Sequence, residues 1–264
     1  MSPDSGNLLA TIVAATRRSV DVRESVRPAA ALEREQTRTP DGTAFEAALR
    51  DGPAPRIIAE CKRRSPSKGI LREKYDAAAL ARSYADAGAA AISVLTEPTF
   101  FDGAPEHLRA VRAAVAVPLL RKDFIVSDYQ LVEAAALGAD AILLIVGALS
   151  QADLTRLLAG ATSRRLAVLV EVHDLGELGF AIDAGARIVG VNSRNLRTLG
   201  VDLGVLDEVA AALPAGVTAV AESGIRTSQD LRRLSAAGYH AFLVGERLIT
   251  QPDPGAALRE LRGA

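Results

Sequence analysis

The sequence predicts a closed (β/α)8 barrel of α/β class, a TIM barrel, with an N-terminal helical extension. Two observations carry that prediction: a phrase that recurs four times along the 264 residues, and a second set of apolar strands lying between the recurrences. A third observation weighs against the main alternative. An open doubly wound sheet would carry a G-x-G-x-x-G after its first strand, and none stands there.

The phrase reads ADAGAAAISV at 85–94, AALGADAILLI at 135–145, IDAGARIVGV at 182–191 and SAAGYHAFLVG at 235–245. Each copy is an Ala-rich helical run, then Gly88, Gly138, Gly185 or Gly238, then a short apolar strand. The glycine is expected to take the left-handed conformation that ends a helix. Its copies are 50, 47 and 53 residues apart. Between them lie RIIAE (56–60), VPLLRK (117–122), LAVLVEV (166–172) and VTAVAES (217–223). These are continuous apolar runs, as parallel strands buried on both faces must be. With a helical segment after each strand, the chain holds eight βα units, the number that closes a barrel.

Residues 1–47 precede the repeat, and the barrel is expected over 55–262 within one domain spanning 1–264. Leu8, Leu9, Ile12 and Val13 fall on one helical face. Pro28, Pro40 and Gly42 break the polar stretch that follows, and Phe45, Ala48 and Leu49 form a second short apolar face. One or two extra helices packed on the barrel are expected.

Composition excludes several function classes. The chain is 49% hydrophobic and 4% aromatic, without Trp, so its core is built from Ala, Val, Leu and Ile. A formal net charge of −1 argues against a nucleic-acid partner. Cys61 is the single cysteine, which leaves no disulfide framework and no cysteine metal site within the chain. The longest apolar run, 141–149, is too short to span a membrane. The first apolar patch has its basic residues after it, Arg17 and Arg18, the wrong order for a secretory signal. A cytoplasmic place is expected, with monomer as the default.

Catalytic residues of such barrels sit where the strands end. Those ends read Glu60-Cys61-Lys62, Ser93 to Glu97, Arg121-Lys122-Asp123, Leu143 to Val146, Glu171, Asn192-Ser193-Arg194, Glu222-Ser223-Gly224 and Gly245-Glu246. Side chains alternate along a strand, so Glu60 and Lys62 point into the mouth together and Cys61 points out. Lys62, Lys122, Glu60, Glu171 and Asn192 form a candidate ring in which lysines and carboxylates shift one another's proton affinity. Singly, each could be a solvated loop residue; together, from different strands, they suit acid–base chemistry, because buried Lys and Glu are costly unless paired or functional.

The loops after strands 7 and 8, Glu222 to Arg226 and Val244 to Arg247, are a candidate phosphate site, with Ser223, Gly224, Gly245 and Glu246 in it. The loop after strand 1, Arg63 to Gly69, adds hydroxyls and positive charge. The glycines would otherwise be plain turn residues. Phe124, Leu143, Ile145, Leu196 and Leu199 could line a pocket for a flat ring, or be plain core. His107, His173 and His240 are isolated in sequence. Glu171-x-His173 has the look of a metal-ligand pair, but no third ligand is spaced to join it, so His173 reads as a loop residue and no metal is expected.

The phrases AECKRRSPSKG (59–69), SVLTEPTFFDG (93–103), PLLRKDFIVSDYQ (118–130), LLIVGALS (143–150), LVEVHD (169–174), GVNSRNLRTLGVDL (190–203), AESGI (221–225) and LVGERL (243–248) resemble the indole-3-glycerol phosphate synthase family. The resemblance covers roughly residues 45–250 and keeps the family's motif order. It implies ring closure, decarboxylation and dehydration of 1-(o-carboxyphenylamino)-1-deoxyribulose 5-phosphate, without a cofactor. It further implies Lys122 as the general acid of ring closure and Glu171 as the acid–base residue of dehydration. Lys62 would contact the substrate carboxylate, and Glu60 and Asn192 would position these groups. Arg194 and Ser223 match further active-site positions, with Ser65, Gly224, Gly245 and Glu246 at the phosphate. Phe124, Leu143, Ile145, Leu196 and Leu199 would surround the anthranilate ring. Glu222 is read with the substrate loop after strand 7. The nearest rival, phosphoribosylanthranilate isomerase, uses a strand 1 cysteine as base, whereas Cys61 alternates outward. One barrel leaves no room for a fusion of the two activities, and a non-catalytic phosphate binder would not need Lys62, Lys122 and Glu171 together.

Overall fold

The structure is a computed structural model that describes residues 8–195 and 198–263. Eight parallel strands close a barrel: β1 (Arg56–Cys61), β2 (Ala91–Leu95), β3 (Leu119–Lys122), β4 (Ala141–Ile145), β5 (Ala167–Val172), β6 (Ile188–Asn192), β7 (Thr218–Glu222) and β8 (Ala241–Val244). Each pairs with its sequence neighbours, and β8 returns to β1 through Arg56–Ala241 to Ala59–Val244. The helices between strands form the outer ring. Gly88, Gly138, Gly185 and Gly238 all have positive φ, as the repeat predicts.

Strand alternation separates two cores. Outward residues such as Ile57, Val94, Leu144 and Val191 pack under the helices. Inward residues such as Ile58, Leu120, Leu169 and Val220 fill the barrel. Most inward and outward positions are equally apolar, which is why the strands read as unbroken hydrophobic runs.

Among the described residues three helices precede β1, not one or two: α1 (Leu8–Val26), α2 (Ala29–Glu35) and α3 (Gly42–Arg50). The break that splits them is Pro28 and the Pro40–Gly42 segment. Asp41 caps α3 by accepting from Ala44 N at 2.9 Å. Phe45 and Leu49 of α3 are fully buried against the inward strand residues and close the N-terminal end of the barrel. Gly42 is required there, since a Cβ would collide with the backbone at Ala167. Leu9 and Ile12 of α1 join the same interior core, and α1 is tied to the barrel by Arg23, which donates to Glu133 at 2.8 Å.

Candidate active site

The mouth is built one layer at a time. The inward residues Ile58, Leu120, Leu169 and Val220 come from β1, β3, β5 and β7. Two positions further along the same strands stand Glu60, Lys122, Glu171 and Glu222. Four side chains from alternate strands make one layer of such a barrel, and here all four are ionisable. Lys122 Nζ lies 3.0 Å from Glu171 Oε2 and 3.4 Å from Glu222 Oε2. Glu60 pairs with Lys62, one turn of the pleat above it. The intervening strands leave room for the carboxylates: a Cβ on Gly190 would collide with Glu222, and one on Gly245 would collide with Glu60.

Burial and charge compete at each group. Burial opposes the Lys122 ammonium, but Glu171, Glu222 and Glu60 outweigh it and hold the lysine protonated. Burial likewise opposes ionisation of Glu171, and Lys122, His173 and Asn192 outweigh it, holding that carboxyl well below the usual range. Glu222 goes the other way. Burial pushes it up to about 8, opposed by Lys122 and reinforced by Glu171. Its Oε1 has no hydrogen-bond partner among the described residues, as suits a carboxyl that keeps its proton. One lysine between two carboxylates thus favours one ionised and one protonated acid.

Asn192 fixes Glu171: its Nδ2 donates to Glu171 Oε1 at 3.0 Å. Its Oδ1 accepts from Ser223 Oγ at 2.7 Å and from Arg194 N at 3.0 Å. Ser223 makes that bond from a left-handed backbone, φ 66°, which is unfavourable for serine and recurs at functional sites.

A cavity of about 790 Å³ opens above this layer. It is lined by Glu60, Lys62, Ser65, Lys122, Phe124, Leu143, Ile145, Glu171, Asn192, Arg194, Leu199, Glu222, Ser223, Gly224, Gly245 and Glu246. These are the site residues expected from the sequence except Leu196, which lies outside the described residues. Leu143 and Ile145 face the cavity while Leu144 packs under the helices. Gly224 has φ 74°, which a side chain would strain. Gly245 precedes α12 (Glu246–Ile249), whose first N–H groups lack intrahelical acceptors.

Sequence reasoning misplaced two groups and missed others. Glu222 belongs to the inner layer against Lys122, not only to the loop after β7; its odd-strand position, two beyond Val220, was the available signal. His173 stands in the loop after β5, as read, but it is not isolated. Its ring sits between Glu171 Oε1 at 3.3 Å and Glu177 Oε2 at 3.0 Å. Leu8 and Ile12 of α1 and Phe101 also line the cavity, as do Arg226 and Arg247 of the two loops read as a phosphate site. The helical face of Leu8 and Ile12 was visible in sequence, but its place over the mouth depends on tertiary packing. Cys61 points outward and is buried; burial, then Glu60, push its thiol above the usual range, which is unsuited to a base. Among the described residues no group of three His, Cys, Asp or Glu is arranged to hold a metal ion, and no helix is long and apolar enough to cross a membrane.

Solved structures share the fold at low identity. A thiamine phosphate pyrophosphorylase from Pyrococcus furiosus matches with TM-score 0.60 and 19% identity, over 79% of this chain and 94% of that one. A 3-hexulose-6-phosphate synthase matches with TM-score 0.64 and 18% identity, over 79% and 98%. Sequence relatives are closer. The indole-3-glycerol phosphate synthase of Parafrankia sp. is 49% identical over 97% of this chain and 95% of its own length. That of Carboxydothermus hydrogenoformans is 50% identical over 78% of each. That of Beutenbergia cavernae is 47% identical over 97% and 95%. The model of the family described as indole-3-glycerol phosphate synthase matches residues 9–261. With the mouth and the sequence in agreement, this chain belongs to the indole-3-glycerol phosphate synthase family.

Proposed function

We infer that the chain is a carboxy-lyase that converts 1-(o-carboxyphenylamino)-1-deoxyribulose 5-phosphate to indole-3-glycerol phosphate, in tryptophan biosynthesis. The observation that carries the reading is Lys122 Nζ held at the base of the mouth, 3.0 Å from Glu171 and 3.4 Å from Glu222. Ring closure joins the carboxyl-bearing aromatic carbon to the ketone carbon. That attack breaks aromaticity, so it needs a carbonyl made electrophilic by proton transfer, and Lys122 holds a proton in a water-poor mouth. The proton goes to the carbonyl oxygen, the carboxylate leaves as CO₂, and its bonding electrons restore the ring. Dehydration then expels the new hydroxyl as water, on a proton delivered by Lys62, and removes a proton from the adjacent carbon. Glu171 takes that proton, and Lys62 contacts the substrate carboxylate and assists the transfers. Each turnover consumes one proton overall.

Phe124, Leu143, Ile145, Leu196 and Leu199 hold the anthranilate ring in this reading. Ser65, Gly224, Gly245 and Glu246 hold the phosphate through hydroxyl and backbone N–H groups, with Arg226 and Arg247 supplying positive charge. Glu60, Asn192, Arg194 and Ser223 orient the ribulose chain. No cofactor enters these steps, and the chain is proposed to work as a single-domain monomer in the cytoplasm. The test is fluorescence-monitored conversion of the substrate by purified protein with EDTA present. Indole product at undiminished rate supports the reading. Saturable binding without turnover would make the barrel a binder instead.

A further inference from the structure

Just above Glu171 on β5 stands a second acid–base pair that the reaction as written does not use. His173 stands in the loop one residue past the end of β5, and its ring comes back against Glu171. Its Nδ1 is 3.0 Å from Glu177 Oε2, and its Nε2 is 3.3 Å from Glu171 Oε1. The Nε2 contact lacks hydrogen-bond geometry, so it is a charge approach and not a directed bond. Glu177 is held in turn. Its Oε2 also accepts from His173 N at 2.8 Å, and its own N–H donates to Asp174 Oδ1 at 2.8 Å at the start of α9 (Leu175–Asp183). A Cβ on Gly147 would press on Glu177 Oε1 at 2.9 Å, so the carboxylate is packed in place. The His173 and Glu177 side chains are 12% and 18% exposed, which limits screening by water.

An imidazole with one carboxylate hydrogen-bonded at Nδ1 and a second within 3.3 Å of Nε2 is favoured as a cation. We propose that His173, anchored by Glu177, is a positioning residue for Glu171: it supplies a second cation that keeps Glu171 ionised and oriented while Lys122 gives up its proton. The need arises within the cycle. Once Lys122 becomes a neutral amine, the Glu171 carboxylate, beside a Glu222 that already holds a proton, has lost its nearest cation and would draw the proton back. A cation that does not take part in the transfer leaves Glu171 free to accept the later one.

The inference rests on Glu171 being the base, and the tests separate the two. The charged groups acting on the ring are Glu171 from β5 and Glu177 from α9, with Lys122 and Glu222 reaching it through Glu171. Burial disfavours the imidazolium, and the two carboxylates outweigh it, raising His173 to about 10. The chain has only 3 histidines, so their ring signals can be assigned by single substitutions and titrated by NMR. His173 is expected to stay protonated through pH 8 and to titrate lower in Glu171→Gln. Titration near the free-histidine value of about 6.5 would overturn the proposal. In kinetics, His173→Gln is expected to lower kcat about 10-fold, change KM less than about 2-fold, and move the acid limb of the kcat–pH profile up by about one unit, because an unsupported Glu171 protonates more easily. His173→Lys should bring the limb back. A uniform loss in both variants with an unmoved limb would mean that His173 only packs the start of α9. Near-normal turnover in Glu171→Gln would instead reject the role of Glu171, and the inference with it.

Discussion

Arg121 and Lys122 are consecutive in β3, both cationic, the first buried and the second partly so, and they face opposite sides of the barrel wall. On the outer side Arg121 donates to Glu133 at 2.6 Å, Asp123 at 3.0 Å, Thr96 Oγ1 at 3.1 Å and the Gln130 carbonyl at 3.1 Å. Arg23 completes that cluster on Glu133, so two guanidinium groups face two carboxylates. On the inner side Lys122 and Lys62 face Glu60, Glu171 and Glu222, two cations for three acids. The outer cluster is matched and has no proton to move. Its Glu133 is lowered because Arg121 and Arg23 outweigh burial. The inner cluster is one cation short, and the deficit appears as a carboxyl that keeps its proton. A buried ion network becomes acid–base machinery when its charges fail to balance.

The sharpest way to break this contrast is to remove each cation. Lys122→Met should lower kcat by at least about 10²-fold at a smaller cost in stability than the outer cation, because Glu222 already holds a proton and His173 still faces Glu171. Arg121→Met should cost on the order of 3–5 kcal/mol of stability, because two carboxylates stay buried without it. Equal stability losses in the two variants would erase the distinction. Gly190→Ala leaves every ionisable group in place but drives a Cβ into Glu222. A displacement of that kind should lower kcat by up to about 10²-fold with KM little changed; wild-type kcat would mean that Glu222 need not sit where it does.

A subtler measurement follows stability with pH. Glu222 is raised from 4.5 to about 8 in the folded chain, so the native state holds a proton that the unfolded chain releases. Its contribution is present below pH 4.5 and lost as pH rises to 8. Wild type should therefore lose stability relative to Glu222→Gln across that window, read from denaturant midpoints; a constant difference would place an ionised Glu222 in the native mouth. The smallest effect is expected from Arg23→Gln. Arg23 is 25% exposed, so its bond to Glu133 contributes about 1 kcal/mol or less. KM should rise more than kcat falls, since α1 carries Leu8 and Ile12 over the cavity.

The barrel was legible because its signals are local. The glycine of each repeat must adopt positive φ, and each parallel strand must be apolar on both faces. The ring of Glu60, Lys62, Lys122, Glu171 and Asn192 was legible because strand parity fixes which residues face inward. Parity alone does not reveal layers, which depend on how the strands are staggered. Glu222 was therefore read with its loop and not with Lys122. His173 was read as isolated because Glu177, its anchor, belongs to the next helix, and the turn that brings them together is set by Asp174. The third N-terminal helix was missed because seven residues between two breaks carry almost no periodic signal.

The wall between Arg121 and Lys122 is a single peptide unit. The outer network reaches from β3 through Glu133 on α7 (Asp128–Leu137) to Arg23 on α1. The same α1 carries Leu8 and Ile12 at the mouth. In the proposed reading, reaction chemistry and the clasp of the covering helix are therefore written in adjacent codons. A one-residue shift of frame in β3 would trade one for the other, sending the matched arginine into the mouth and the lysine among the helices. The tripeptide Arg121-Lys122-Asp123 is a reading frame for the enzyme as much as a length of strand, and its phase has to be held before any of its side chains can act.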